Sequence, residues 1–343
     1  MPSLQNYSTF GLDSSCASLQ TFTDIPSFLS LYRKDKPTYI LGGGSNSIFT
    51  EDFEGTVLVN KIKGISHYDT DSHHFLRVGA GENWHNFVTL CMQEKWYGFE
   101  NLALIPGSVG ACPIQNIGAY GREVNTLIDT VEVVLLDTGE QLLINNHECE
   151  FGYRDSIFKH ELANKVLITH VNFKLPKVYQ LDTSYGELAQ LNAPTADDVY
   201  QTVISIRKSK LPDPADLGNA GSFFKNPVVS KDVFEDIAMQ FDVVPHFIVN
   251  ADASERPEKI KIPAAWLIDK AGFKGKTLNN VRCHPTQPLV LTNLGGATGE
   301  DVMTMANDII ASVRDKFAIQ LEPEVRLIGS KGLISLLDKH QKQ

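Results

Sequence analysis

Short apolar runs dominate the first half of the chain, and apolar residues recur at helical spacing in the second. Thr38, Tyr39, Ile40 and Leu41 form a strand-like run that enters Gly42-Gly43-Gly44-Ser45-Asn46. Residues 56–60 (TVLVN), 75–78 and 166–173 read as further strands. Residues 130–137 and 141–144, joined through Thr138-Gly139, read as a hairpin. Trp84, Phe87, Val88 and Cys91 recur at i, i+3, i+4, i+7 and predict a helix over 84–94. Thr195 opens another helix, with Asp198 at capping-box spacing, Val199, Val203 and Ile206 on its apolar side, and Pro212 and Pro214 beyond it. Ser230 caps a helix over 231–240, and Pro263 is the expected first helical residue of PAAWLIDKAG, which Gly272 closes. Val302, Met305, Ala306, Ile309, Val313 and Phe317 mark a long amphipathic helix. A final strand is expected to follow, with Ile319, Leu321, Val325 and Leu327 on one face and Gln320, Glu322, Glu324 and Arg326 on the other.

The glycines between these elements carry candidate chemistry. GGGSN (42–46) is not a dinucleotide fingerprint, because the spacing is not GxGxxG and no helix follows. It reads equally as a tight turn or as a backbone cradle for a pyrophosphate. Residues 101–121, NLALIPGSVGACPIQNIGAYG, set Gly107, Gly110, Gly118 and Gly121 among apolar residues and the amides of Gln115 and Asn116. That mixture suits a backbone wrapped around a large planar ligand, and the plainer alternative is a buried β-hairpin.

Composition narrows the class. A chain of 343 residues with 42% hydrophobic and 21% charged content fits a globular protein of two or three domains. The net charge of −10 disfavours a general nucleic-acid binder and leaves room for a local basic pocket. The five cysteines have no CxxC spacing, so neither a disulfide framework nor a zinc site is expected. The histidines, His73 and His74 included, have no ligand spacing, and no metal is expected. MPSLQNYSTFGLDSS has neither a basic n-region nor an apolar h-region, so no signal peptide is expected, nor is any membrane-spanning run.

One stretch remains, NAGSFFKNP (219–227), which sets Ser222 beside Gly221 with no histidine or aspartate nearby. With YSTFG (7–11), ILGGGSN (40–46), VGAGENW (78–84), ENLALIPGSVGACPIQNIGAYG (100–121), FGYRDSIFK (151–159), SYGEL (184–188), KLPDP (210–214), AAWLID (264–269) and LEPEVR (321–326), it resembles the UDP-N-acetylenolpyruvoylglucosamine reductase (MurB) family over nearly the whole chain. The resemblance implies an α+β protein: a two-lobed FAD-binding domain of the vanillyl-alcohol-oxidase (PCMH) type and a C-terminal α+β substrate-binding domain. The implied boundaries are 1–62 for the first lobe, completed by 314–343, then 63–211 for the second lobe and 212–313 for the substrate domain. SYGEL marks the subgroup with an extra tyrosine-bearing loop.

The implied reaction is NADPH-dependent, FAD-mediated reduction of UDP-N-acetylglucosamine enolpyruvate to UDP-N-acetylmuramate, in peptidoglycan precursor synthesis. Residues implied to hold FAD are Gly42, Gly43, Gly44, Ser45, Asn46, Ile105, Pro106, Gly107, Gly110, Ala111, Ile114, Gln115, Ile117 and Gly118. Ala111 and Cys112 stand where some relatives have hydroxyl residues. No His or Cys lies in 40–50, so the flavin is expected to be non-covalent.

Within that chemistry Ser222 has a role a lone serine can fill: proton donor to the carbon beside the one that receives hydride. Otherwise it is a turn residue. Arg154 matches a carboxylate in two-point geometry, its ordinary alternative being a pair with Asp155. Glu324 is implied to act near the enolate, in which case its pKa should be raised, whereas a water-facing strand position is the ordinary reading. Lys210 and Lys225 are candidates for the diphosphate, Tyr185 for closing over it, Asn226 and Gln287 for the uridine or sugar, and Tyr153 for the substrate. A monomeric cytoplasmic enzyme is expected, with a UDP-sugar substrate and no nucleic-acid or membrane partner. The main alternative is another FAD-dependent oxidoreductase of the same fold.

Overall fold

The computed structural model describes residues 1–249 and 259–336, so 250–258 and 337–343, which fall in the expected substrate domain and returning C-terminal segment, lie outside it. The described chain forms two compact units. The first comprises 1–2, 16–44 and 54–209, and the second 3–15, 45–53 and the chain from Lys210 onward.

In the first unit, Ile25–Leu31 (α1), Trp84–Gln93 (α2) and Ala196–Lys210 (α3) accompany two main sheets. One sheet orders Cys16–Phe22, Phe53–Asn60 and Thr38–Leu41, with 38–41 parallel to 56–59. The other is antiparallel, in the order Gln141–Asn145, Ile128–Leu135, Val166–Pro176, His73–Gly79 and Ile65–Asp69. The hairpin expected at 130–144 is present, with Gln141 opposite Val134. The helix expected at 84–94 spans Trp84–Gln93, and Asn83 caps it by accepting from the Asn86 N–H. Its apolar face packs Trp84 and Phe87 against Phe99 and Phe173, with Phe87 and Phe99 ring centres 5.1 Å apart. At the start of α3 the Thr195 hydroxyl receives the Asp198 N–H while the Asp198 carboxylate receives the Thr195 N–H, as the spacing predicts.

In the second unit, Lys231–Ala238 (α4), Ala264–Lys270 (α5) and Gly299–Phe317 (α6) pack with short sheets. α6 begins at a Thr298–Asp301 capping box and ends at Ala318, whose φ is 55°. Its expected apolar face, Val302 to Phe317, is buried with Phe223 and Phe224. Two expectations shift. Pro263 stands one position outside α5, as its N-cap. The final strand is shorter than the alternation suggests: a continuous ladder runs only over Arg326–Gly329, parallel to Ser47–Phe49 and antiparallel to Gly332–Ile334, while upstream a single bridge joins Pro323 to Phe224. Ile319, Leu321 and Val325 are buried as expected, so alternation marks burial there without marking a ladder.

Candidate functional site

The two glycine-rich segments meet inside the first unit. A Cβ on Gly43 would lie 2.8 Å from the Gly107 Cα, and one on Gly42 would collide with the Ser108 hydroxyl. Glycine is therefore required there by the approach of one loop to the other. From Gly107 onward the backbone is pinned underneath. Gly107 accepts from the Trp84 N–H at 3.0 Å, Val109 donates to the Glu82 carbonyl at 2.9 Å and Gly110 donates to the Ala80 carbonyl at 2.8 Å. Gly110 also leaves no room for a side chain, since its Cβ would sit 2.5 Å from that of Ala80. The segment is not the hairpin alternative: it is built of short 3-10 turns at Glu100–Leu102 and Val109–Ala111, with a single bridge from Ser108 to Asn83 and a two-residue pairing of Gly118–Ala119 with Arg122–Glu123.

What this pinning leaves on the surface fits a flat, partly apolar group. Pro106 and Ala111 are exposed, while Ile105, Ile114, Gln115 and Gly118 are half-buried on a rigid backbone. Ile117 is buried in the core, so of the expected flavin contacts it is the one least able to offer its side chain. Cys112 is buried as well, which directs its sulfur away from that surface and leaves Ala111 there. The Asn116 amide, read from the sequence as a ligand group, is committed elsewhere. It donates to Glu123 and to the Gly152 carbonyl at 2.8 and 3.0 Å and accepts from the Asn125 N–H at 3.0 Å. Sequence cannot distinguish an amide that holds a loop from one that meets a ligand.

Non-glycine residues with left-handed φ gather on this segment and its supports: Leu104 at 56°, Asn116 at 43°, Tyr120 at 50° and Arg154 at 55°. Such backbone costs about 1–3 kcal/mol per residue and persists where surrounding structure enforces it, often at functional sites. The bonds that enforce it are visible. Arg154 donates to the Gly118 carbonyl at 2.6 Å and to that of Asn116 at 3.4 Å, and its guanidinium lies 5.5 Å from the Tyr153 ring centre. Asp155, its ordinary alternative partner, is paired with His160 at 2.8 Å. Burial works against the Asp155 carboxylate, but the His160 hydrogen bond and charge hold its pKa below the usual range.

Arg207 is a member of this group that sequence reasoning missed. It stands in the last turn of α3, where a cation suits the helix dipole. Its Nε donates to the Leu104 carbonyl at 3.2 Å. Burial lowers its pKa, the Tyr120 hydroxyl opposes that shift and Arg154 adds to it. Tyr120 responds in kind: burial raises its pKa and Arg207 draws it down. Two cations, Arg154 and Arg207, thus lie within electrostatic range of each other in an acidic chain. Tyr185, expected to close over the substrate, is exposed, with its ring edge-on to Tyr120 at 6.2 Å.

In the second unit, Ser222 ends the strand Asn219–Ser222 and lies opposite Val290. Gly221 before it has φ of 69°, and its N–H is received by the Asn219 side chain at 3.0 Å. A non-glycine residue would strain this turn, which leads into the half-buried Ser222. Residues 322–324 run beside 223–225. Glu324 donates its N–H to the Phe223 carbonyl at 2.8 Å, and Lys225 donates to that of Glu322 at 2.9 Å. Asn46 joins them, its side chain donating to the Glu324 carbonyl at 3.2 Å and its carbonyl receiving the Arg326 N–H at 2.8 Å. Ser222, Glu324 and Asn46 are therefore neighbours in the backbone framework, although far apart in sequence. The two glutamates differ in their surroundings. Glu324 is half-buried, whereas Glu322 is exposed and pairs with Lys225 at 3.2 Å.

The remaining substrate candidates have mixed positions. Asn226 Oδ1 accepts the Ala264 N–H at 2.8 Å, so that oxygen closes the start of α5. Gln287 lies in the turn from Val281–Cys283 to Val290–Asn293, half-buried, and its carbonyl accepts from Val290. Lys210 is exposed at the end of α3. Ser45, in the same loop as Asn46, accepts at its carbonyl from the Thr9 hydroxyl at 3.5 Å. The five cysteines are all buried free thiols, and no cluster of three or more metal-ligating side chains occurs among the described residues.

Comparison with known proteins places the chain in a family. An FAD binding domain model matches residues 19–145, and the model for the C-terminal domain of UDP-N-acetylenolpyruvoylglucosamine reductase matches residues 213–328. A reductase of that name from Pseudoalteromonas atlantica is 47% identical over 98% of this chain and 96% of its own length. The chain belongs to the UDP-N-acetylenolpyruvoylglucosamine reductase family. The Escherichia coli O157:H7 reductase is 44% identical, covering 98% of both chains. The crystal structure of the reductase from Thermus caldophilus shares the fold, with a TM-score of 0.64, 21% identity and coverage of 95% of this chain and 97% of that one. The two matched models give the reductase its FAD-binding part and its C-terminal part, in the order expected from the sequence. No helix among the described residues is long and apolar enough to cross a membrane.

Proposed function

We infer that this chain reduces UDP-N-acetylglucosamine enolpyruvate to UDP-N-acetylmuramate, with NADPH as reductant and FAD as cofactor, in peptidoglycan precursor synthesis. The observation that carries the reading is 47% identity to a reductase of that name along 98% of the chain, with an FAD binding domain model over 19–145. When bound, FAD accepts hydride from NADPH and delivers it to the terminal CH₂ of the enolpyruvyl group.

The chain's own residues supply the rest. Gly42 to Gly44, Ser45, Asn46, Ile105 to Gly107, Gly110, Ala111, Ile114, Gln115, Ile117 and Gly118 hold the cofactor, chiefly by backbone and small apolar surface. It is held without a covalent bond. Hydride addition converts the CH₂ to a methyl group and places negative charge on the neighbouring carbon and its carboxylate. The Ser222 hydroxyl gives that carbon its proton and is then reprotonated from solvent. Arg154, held by the Gly118 carbonyl, stabilises the carboxylate, and Glu324 acts at the same enolate. Lys210 and Lys225 meet the diphosphate, while Tyr153, Tyr185, Asn226 and Gln287 meet the remainder of the substrate. Tyr185 stands on the extra loop of its subgroup.

The chain works as a cytoplasmic monomer. Residues 1–62 with 314–343 form one FAD-binding lobe, 63–211 the second and 212–313 the substrate domain. The reaction makes a labelling prediction. Turnover in D₂O with unlabelled NADPH should place one solvent deuterium on the carbon bearing the ether oxygen; the methyl group is not diagnostic, because hydrogen carried on a flavin nitrogen exchanges with solvent. No deuterium on the carbon bearing the ether oxygen, or no reduced product, would overturn the reading.

A further inference from the structure

We propose that Asn101 is a positioning residue for the turn that carries Tyr185, and so sets substrate affinity without touching substrate. The proposal rests on the reading of Tyr185 as a substrate residue. Asn101 is 1% exposed, too buried to meet a ligand of its own. An amide nitrogen has two hydrogens, and Asn101 Nδ2 spends them on two distant carbonyls: Tyr120 at 2.9 Å and Asp182 at 2.8 Å. Tyr120 belongs to the glycine-rich segment and has φ of 50°. Asp182 opens the turn to Tyr185, its carboxylate receiving the Ser184 N–H and hydroxyl at 3.1 and 2.7 Å.

The flanks of this turn are fixed separately. Upstream, the Tyr179 ring lies 5.8 Å from that of Tyr97; downstream, Leu188 is fully buried. Between them Gly186 has φ of 56°, leaving a short arc with Tyr185 near its middle. Asn101 joins the base of that arc to the Tyr120 backbone, and the Tyr120 and Tyr185 rings meet edge-on at 6.2 Å. Without the two hydrogen bonds, Tyr185 would keep its chemistry and lose its fixed position.

A purely structural amide would satisfy the same two carbonyls, so the test must ask whether the effect runs through Tyr185. Asn101→Asp keeps shape and, when ionised, cannot donate; Asn101→Ser keeps one donor and serves if the aspartate variant does not fold. Each is measured as the flavin-loaded enzyme, alone and combined with Tyr185→Ala. Loss of a buried hydrogen bond should raise the KM for the enolpyruvyl UDP-sugar roughly five- to tenfold, with flavin reduction by NADPH unchanged. In the Tyr185→Ala background the same change should add less than about twofold. An equal factor in both backgrounds, or a parallel loss of flavin reduction, would make Asn101 a structural residue only. If Tyr185→Ala alone leaves the KM unchanged, the reading of Tyr185 fails first and the proposal with it.

Discussion

At the scale of single residues, the site depends on side chains whose ordinary partners are engaged elsewhere. Asp155 pairs with His160, and Arg154 turns instead to the Gly118 carbonyl. Replacing Arg154 with lysine keeps the charge and removes the fork, so steady-state kinetics should show kcat lowered by about tenfold or more, with folding intact by circular dichroism. Glu100 gives a prediction about pH. It is 2% exposed, accepts the Gly98 N–H at 2.8 Å, and burial raises its pKa while nearby Arg122 draws it down. A carboxyl group with a raised folded-state pKa binds its proton more tightly folded than unfolded. Stability therefore falls as pH rises from the unfolded value toward the folded one. Glu100→Gln keeps the acceptor oxygen and removes this term. Its melting temperature should match wild type at pH 4 and equal or exceed it at pH 7; a variant less stable at pH 7 than at pH 4, relative to wild type, would contradict this. Ser222, Arg154 and Glu324 were singled out only through surrounding motifs, because each residue alone has a commonplace reading. The structural bonds of Asn116 and of the Asn226 oxygen were not legible, because their partners are distant backbone groups that no local pattern announces.

At the scale of elements, reading succeeded where a local rule governs. Thr195 with Asp198 marked a helix start because the capping bonds are made within four residues. The hairpin at 130–144 was legible from its alternation and its Thr-Gly turn. It failed for the last strand, where residues 319–325 alternate in burial but find no full ladder, since pairing depends on strands distant in sequence. Arg207 was hidden likewise, because the Leu104 carbonyl it meets belongs to another segment. Asn226 links element to site. Asn226→Ala removes the acceptor for the first N–H of α5 and should cost about 1 kcal/mol, a fall of a few degrees in melting temperature by calorimetry. If Asn226 also meets substrate, that loss comes with a higher KM; a changed KM at unchanged stability would assign it to substrate alone.

At the scale of the molecule, the chain forms two compact units, each assembled from segments separated in sequence. Residues 3–15 and 45–53 belong to one compact unit with the chain beyond Lys210, and GGGSN spans the change from one unit to the other. The motifs at 40–46 and 219–227 therefore serve a framework assembled from separated pieces, which composition along the chain cannot disclose. The central claim is that Ser222 supplies a proton and takes no part in reducing the flavin. The most direct measurement is anaerobic: reduce the FAD-loaded enzyme with NADPH, then mix it with UDP-N-acetylglucosamine enolpyruvate and follow flavin absorbance. Ser222→Ala should accept hydride from NADPH at the wild-type rate and return it to substrate at least about a hundredfold more slowly. Equal slowing of both half-reactions, or wild-type reoxidation by substrate, would contradict the account.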